Sequence, residues 1–398
     1  MRVLFATTAG LGHFRPQVPL ARAVRDAGHE VRVAAPASFA RHVTDAGLEH
    51  APFDDADPEA LGRVFGSLPG LAPEEANHRV VTQVFGRLDP QAALPRLAAL
   101  VETWRPDVIV REPGEVASLA AAEAAGVLHV VSGIGLGRLH AWMIEGLAEP
   151  LQDLAARAGI PDRDLAAAAR DEQVFTTLPA SFDEPGPALP HDPVRYRAEP
   201  DGATAPPLPA WGDPDAPLVY VTFGSVAAGQ PTFEPMYPLV LDALADLDAR
   251  VLLTTGTHGD PDALRPWPAN ARVERWWPQE ALMPAGGEPA ATAMVGHGGF
   301  GTTTTALATG VPQVVVPLFA SDQWLNARRV ADVGAGLAVE AGPELVERLP
   351  GAVRSVLDDG TYRAPARRLA DEMAALPPAA ATVERVLTAG STARTRPS

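Results

Sequence analysis

Residues 296–305 read GHGGFGTTTT, four glycines and a histidine followed by four threonines. Glycine lets a backbone approach a ligand closely and turn its N–H groups toward it. Threonine hydroxyls add donors where a helix begins, and the helix dipole there favours negative charge. His297 supplies a further donor, cationic when protonated. Such a set makes a cradle for a diphosphate, with neither lysine nor metal required. A flexible loop ahead of a helix would account for the glycines, but not for histidine and threonine beside them.

Three other stretches carry related chemistry. Residues 274–284 (ERWWPQEALMP) set two tryptophans beside a Pro-Gln pair. An aromatic shelf stacks a flat heterocycle and an amide pairs with its edge, so Trp276 and Gln279 suit a nucleobase, with Trp277 expected in the core. In residues 317–327 (PLFASDQWLNA), Asp322 and Gln323 put a carboxylate and an amide side by side, as vicinal sugar hydroxyls require. A helix cap around Ser321 and Asp322 is the structural alternative. Residues 221–226 (VTFGSV) end in a Gly-Ser turn that offers N–H groups and the Ser225 hydroxyl to an anion.

A separate pair lies near the start. His13, in TTAGLGHFRP, is expected at a helix N-terminus, which disfavours the imidazolium and leaves a neutral ring able to take a proton. Glu112, in VIVREPGEV, would hold that ring in one tautomer and stabilise it once protonated. Alone, each has a plainer reading: a capping histidine, and a solvated glutamate paired with Arg111. Gly10 and Gly12 do not make a dinucleotide fingerprint. Arg15 stands where the third glycine belongs, and Ala34-Ala35-Pro36 replaces the acidic residue after the second strand.

The elements that position these residues alternate. Strands are expected at residues 3–7, 31–35, 107–110 and 128–132, with helices at 16–27, 38–46 and 115–125. A second series places strands at 218–223, 251–255, 292–295 and 313–318, with a helix near 235–247. Short apolar runs alternating with helices imply parallel βαβ units, hence an α/β protein with two doubly wound sheets. Each chemistry-bearing stretch falls just after a strand, where such sheets bind ligands. Between the series, residues 183–217 are so dense in proline that we expect an extended linker without strand or helix. The expected division is 1–205, 218–375, and a C-terminal helix and tail at 376–398 that packs back on the first domain.

Composition limits the alternatives. At 398 residues the chain exceeds one ordinary core. Its net charge of −17 argues against nucleic acid or an anionic membrane as partner. Cysteine is absent and every cationic residue is arginine, which excludes disulfides, thiolate catalysis, Schiff-base cofactors and a Walker-type phosphate loop. No apolar run approaches the ~20 residues of a membrane span, and no signal-peptide pattern is present, so a cytoplasmic protein is expected. The Asp-X-Asp triplets at 55–57, 213–215, 246–248 and 260–262 are read as solvated, and no metal site or cofactor is expected.

In order, TTAGLGHFRP, TFGS, RWWPQ, HGGFGTT and DQWLNA resemble the inverting family 1 glycosyltransferases of GT-B fold, and more closely the actinomycete enzymes that decorate natural products. The resemblance covers nearly the whole chain and is most specific from Trp276 to Asn326. It implies two Rossmann-like domains facing across a cleft. His13 matches the general base, and Glu112 its acidic partner, usually aspartate. Ser225, His297, Gly299, Gly301, Thr302 and Thr303 match the diphosphate positions, Trp276 and Gln279 the base shelf, and Asp322 with Gln323 the sugar contacts. In plant members a glutamate eight residues after the motif histidine clamps the ribose diol. Here that position is Thr305, which fits a 2′-deoxyribose, so a dTDP-sugar is expected over a UDP-sugar.

The expected reaction moves a sugar, a deoxysugar included, from the nucleotide to a hydrophobic aglycone such as a polyketide antibiotic, with domain closure about the linker. Residues 54–100 and 133–147 are expected to line the acceptor pocket, with Phe65, Phe85 and Trp142 as apolar contacts. A homodimer is compatible with this reading. The alternatives are a UDP-sugar transferase of the same fold, a related cell-wall glycosyltransferase or sugar epimerase, and a non-catalytic nucleotide-sugar-binding auxiliary protein, which would need neither His13 nor Glu112.

Overall fold

The computed structural model describes residues 1–184, 189–199, 207–225, 227, 232–256, 258–284 and 289–389. Thirteen strands form two sheets. The first holds β1 (Arg2–Ala6), β2 (Glu30–Pro36), β3 (Glu49–Phe53), β4 (Val108–Arg111), β5 (Leu128–Ser132), β6 (Val174–Thr176) and β7 (Val194–Arg195). The second holds β8 (Leu218–Thr222), β9 (Arg250–Thr254), β10 (Ala271–Glu274), β11 (Ala291–Gly296), β12 (Gln313–Val315) and β13 (Gly336–Ala338).

All pairings are parallel. The orders are β3-β2-β1-β4-β5-β6-β7 and β10-β9-β8-β11-β12-β13. In both, the order reverses after the first strand, as in doubly wound Rossmann-like sheets. The reversals, β1 beside β4 and β8 beside β11, leave a crevice at the carboxyl ends that no crossover helix covers.

Burial follows the two-residue period of the strands. In β1, Leu4 and Ala6 enter one core layer and Val3 and Phe5 the opposite one. In β8, Val219 and Val221 face one way and Leu218 and Tyr220 the other. Helices therefore cover both faces of each sheet, which is why the strands read as continuous apolar runs.

The chain divides into Met1–Leu178 with Asp183–Glu199 and Pro377–Ser398, and Pro179–Phe182 with Pro200–Leu376. The first differs from the expected linker. Asp183–Glu199 belongs to the first unit, where Val194 and Tyr196 are buried and β7 extends the sheet. Proline tolerates this because β7 is a two-residue edge strand and Pro193 stands just before it. The rest of the expected linker falls partly outside the described residues, at 185–188 and 200–206. At the other end, Val383 and Val386 of the last helix (Val383–Thr388) join the first unit's core, and the Arg197 N–H donates to the Pro377 carbonyl at 2.8 Å. Among the described residues no helix is long and apolar enough to cross a membrane.

Candidate active site

The crevice of the first sheet holds His13 and Glu112. His13 follows β1, in the helical turn Leu11–Phe14. That turn starts five residues before the helix expected at 16–27, so His13 is its third residue and its own N–H already bonds the Gly10 carbonyl at 3.0 Å. Glu112 leaves β4 directly. His13 Nδ1 lies 2.9 Å from Glu112 Oε2.

Glu112 is completely buried and accepts from the Thr8 N–H at 3.1 Å, the Thr8 hydroxyl at 3.0 Å and the Gly114 N–H at 2.6 Å. Burial pushes its carboxyl up, but His13 and these donors outweigh burial and hold it below the usual carboxylate range. Glu112 is thus anionic, and the solvated pair with Arg111 is not what forms. Gly114 keeps the space open, since a Cβ there would stand 3.2 Å from Glu112 Oε2 and 3.3 Å from His13 Cε1.

Arg111, 1% exposed, shapes the turn that carries Glu112. Its Nη1 donates to the carbonyls of Glu112, Pro113 and Glu115 at 3.2, 3.4 and 3.3 Å. Its other nitrogens bind the Glu172 carboxylate in a fork. Glu172 also receives His129 Nδ1 at 2.8 Å, and His129 Nε2 meets Glu123 at 2.8 Å. With a carboxylate on each nitrogen outweighing its burial, His129 is pushed up to about 9, and the carboxyls of Glu123 and Glu172 fall to about 2.

Phe85 and Asp89 border the pair. The Phe85 and His13 ring centroids are 5.3 Å apart. Phe85 lies in a π-helical stretch, Val80–Leu88, and Asp89 follows it at the start of the helix Asp89–Trp104. Burial, then the charge of Glu112, push the Asp89 carboxyl up to about 7, against the opposing pull of His13. Trp142 packs against the first unit's core and Phe65 is 49% exposed, so of the three apolar candidates the structure brings Phe85 to the dyad.

The second crevice gathers the glycine-rich stretches. Gly224 and Ser225 leave β8, and His297 to Gly299 leave β11 and lead into the helix Phe300–Thr309. The His297 ring occupies the space that side chains at 224 and 299 would need. A Cβ on Gly224 would come 2.7 Å from His297 Cε1, and one on Gly299 would collide with Nε2. Burial pushes His297 down to about 4, so of the two forms the sequence left open the ring is neutral. No side chain caps the helix at Gly299, so its first N–H groups are left for a ligand.

Two further expectations change. The hydroxyls of Thr304 and Thr305 turn back on their own helix, to the carbonyls of Phe300 at 2.9 Å and Gly301 at 2.8 Å. Thr302 and Thr303 are buried, the Thr303 hydroxyl without a partner among the described residues, and the helix start adds backbone N–H groups with open space at Gly301. Gln323, 2% exposed, commits its carbonyl to the N–H groups of Leu318 and Phe319 at 2.8 and 3.0 Å, so it orders the loop after β12. Asn326, on the same helix (Ser321–Asp332), donates to the Gly298 carbonyl at 2.7 Å and braces the glycine turn. The alternative cap at Ser321 and Asp322 does not form: Ala320 is the N-cap. Trp276 is 55% exposed and Trp277 is buried, while Gln279 opens the short helix Gln279–Leu282.

Known proteins share this arrangement. Residues 71–192 and 238–388 match the N- and C-terminal domains of the family described as erythromycin biosynthesis protein CIII-like. The L-demethylnoviosyl transferase of Streptomyces niveus is 35% identical over 394 residues, covering 96% of this chain and 97% of that protein. The chain belongs to this glycosyltransferase family. Among solved structures, the glycosyltransferase SnogD from Streptomyces nogalater is similar at 29% identity and a TM-score of 0.73, covering 98% of this chain and 99% of that one. SsfS6 of Streptomyces sp. SF2575, complexed with thymidine diphosphate, matches at 28% identity and 0.73, covering 97% and 99%.

This glycosyltransferase therefore has the GT-B fold and is a nucleotide-sugar-dependent enzyme of natural-product type. The sequence reading had no route to Arg111, Glu172, His129, Asp89 or Asn326. Glu172, His129 and Asp89 lie outside any motif, and Asn326, inside DQWLNA, carried no role there, so their surroundings and pairing mark them. Arg111 alone left a trace, as a charge inside an apolar strand.

Proposed function

We propose that this glycosyltransferase moves a sugar from a dTDP-sugar to a hydroxyl of an apolar aglycone, with inversion at the anomeric carbon. The contact of His13 Nδ1 with buried, anionic Glu112 at 2.9 Å carries the reading. With its Nδ1 proton directed at Glu112, His13 presents Nε2 as the proton acceptor. The acceptor oxygen attacks the anomeric carbon as its proton passes to Nε2. The bond from that carbon to the diphosphate breaks on the opposite face, and Glu112 stabilises the imidazolium formed.

Charge arriving on the leaving dTDP is met by the uncapped start of the helix Phe300–Thr309 and by the N–H groups of the Gly224–Ser225 turn. Transfer requires the donor held by the second unit to meet the acceptor held by the first. We propose that no metal takes part. Trp276 offers its exposed ring for the base, and Asp322, near the start of its helix, with the amide N–H groups of Gln323, whose carbonyl is engaged, suits the sugar. The thymidine nucleotide is supported by Thr305, an uncharged residue whose hydroxyl turns back to the Gly301 carbonyl at 2.8 Å, and by the thymidine diphosphate complex of SsfS6.

Calorimetric titration of the protein with dTDP and with UDP, without magnesium and with EDTA, tests this. A single hydroxyl contact of ~1 kcal/mol corresponds to about fivefold tighter dTDP binding. UDP binding as tightly would remove the deoxyribose preference, and no binding of either would remove the cradle.

A further inference from the structure

The first unit contains a cavity of about 50 Å³ at the carboxyl ends of β5 and β6. Its wall is largely apolar, from Ile134, Leu139, Met143, Val174 and Leu189, and His140 is set among them. Pro113, the residue after Glu112, also borders it. The cavity therefore adjoins the turn that holds the catalytic pair.

His140 is 5% exposed, and neither of its ring nitrogens has a hydrogen-bond partner among the described residues. Buried polar groups are nearly always paired, so this ring calls for a partner that enters from outside the fold. Of the other polar side chains in the wall, Asp192 is exposed and the rest are already engaged. Asp183 accepts from the Gly137 N–H at 2.9 Å and from Arg195 at 2.8 Å. Thr176 accepts from the Leu178 N–H at 3.2 Å, and His191 meets Asp171 at 3.2 Å. Burial, then the charge of Arg111, push His140 down to about 4. The ring is neutral, with one N–H to donate and one lone pair to accept.

A neutral donor-acceptor in an apolar wall suits an uncharged hydroxyl or carbonyl, and it rejects a carboxylate or an ammonium group, which would lose its hydration without a counter-charge. The volume exceeds the ~10–15 Å³ that a single water needs. Neighbouring strands are ~4.8 Å apart, so the ends of β5 and β6 lie one or two ring widths from the end of β4, where Glu112 sits.

We propose that His140 reads the far end of the acceptor, hydrogen-bonding a hydroxyl or carbonyl on an apolar, ring-bearing aglycone remote from the oxygen that receives the sugar. This rests on the reading of His13 as base and adds a requirement: good acceptors carry a second oxygen function at the opposite edge of the ring system.

Binding of 1-naphthol and of 1,5-dihydroxynaphthalene to the full-length protein tests this, followed by calorimetry and by NMR of the 15N-labelled histidine rings. In the wild type the second hydroxyl tightens binding by about five- to tenfold, and only the diol shifts the His140 ring signals. His140→Phe, which fills the wall with an apolar ring, reduces the preference to within twofold, and His140→Gln, which keeps a donor and an acceptor, retains most of it. Equal binding of the two naphthols by the wild type, an unmoved His140 signal, or a preference that survives in His140→Phe would each overturn the proposal. Titration with dTDP in parallel separates the two readings: a failed preference with dTDP still bound removes the role of His140 and leaves the transferase standing.

Discussion

At the scale of single residues, His13 and Glu112 divide the work unequally. Glu112 is closed in by four contacts and does not touch solvent, whereas the His13 side chain keeps 24% exposure. The carboxylate is therefore fixed and the imidazole meets the substrate. His13→Ala should lower kcat by about 10²- to 10⁴-fold, the range of a lost general base, while the dTDP dissociation constant stays within twofold. Glu112→Gln should fall in the same direction, because an amide presents an N–H where His13 Nδ1–H needs an acceptor. Steady-state kinetics beside dTDP calorimetry checks both, and a variant with wild-type kcat would remove the residue from the mechanism. The histidine motif and the residue after β4 were legible as types. Their pairing was expected as well, and what the structure adds is the sheet order that makes β1 and β4, far apart in the chain, neighbours.

At the scale of elements, the carboxyl end of β4 is tied through Arg111 to Glu172, just before β6, and through Glu172 to His129 near the start of β5 and Glu123 on the helix Ala117–Ala125. The pH dependence follows from the direction of each shift. His129 is raised from 6.5 to about 9, so its contribution is full below 6.5 and is lost as pH rises through about 9. Glu123 and Glu172 are lowered from 4.5 to about 2, so theirs is full above 4.5 and is lost as pH falls toward 2. The network stabilises most between those limits. Thermal melts should fall between pH 6.5 and 9.5, and His129→Gln should lose that part of the fall while melting lower at pH 6. An unchanged slope in the variant would show that His129 does not set it.

The strands the sequence did not announce have a common cause. Edge strands β3, β7, β10 and β13, with β6 beside one of them, were missed, whereas the eight expected strands all lie inward of the edges. An edge strand has solvent along one side and tolerates the proline and charge found in EHAPF and ARVE, so it lacks the apolar run that marks a central strand.

At the scale of the molecule, the first described residues and the last described helix, Val383–Thr388, belong to the same unit. Pro377 onward returns to the first unit's core through Val383 and Val386, both buried. Removing the chain from residue 377 should destabilise that unit, since each fully buried valine contributes about 1.5–3 kcal/mol. A melt of the truncated protein should show a lowered first-unit transition, with dTDP still raising the second. A truncated protein that melts like the full chain would place those valines outside the cooperative core.

What the sequence determined by itself was chemistry that is local along the chain. Glycines and threonines within a few residues of a strand end suffice to suggest an anion cradle, because backbone donors need no distant partner. The period of the apolar runs sufficed for two parallel sheets. Tertiary structure alone decided which polar groups are charged and which are free. His297 is neutral because the backbone at Gly224 and Gly299 closes on its ring. Gln323 serves a loop because burial forces its carbonyl onto two N–H groups. Among the described residues His140 is unpaired, because those that reach its cavity are apolar, exposed or already bonded. Protonation and pairing depend on what surrounds a group in space, and that is set by strand order, which no stretch of sequence carries.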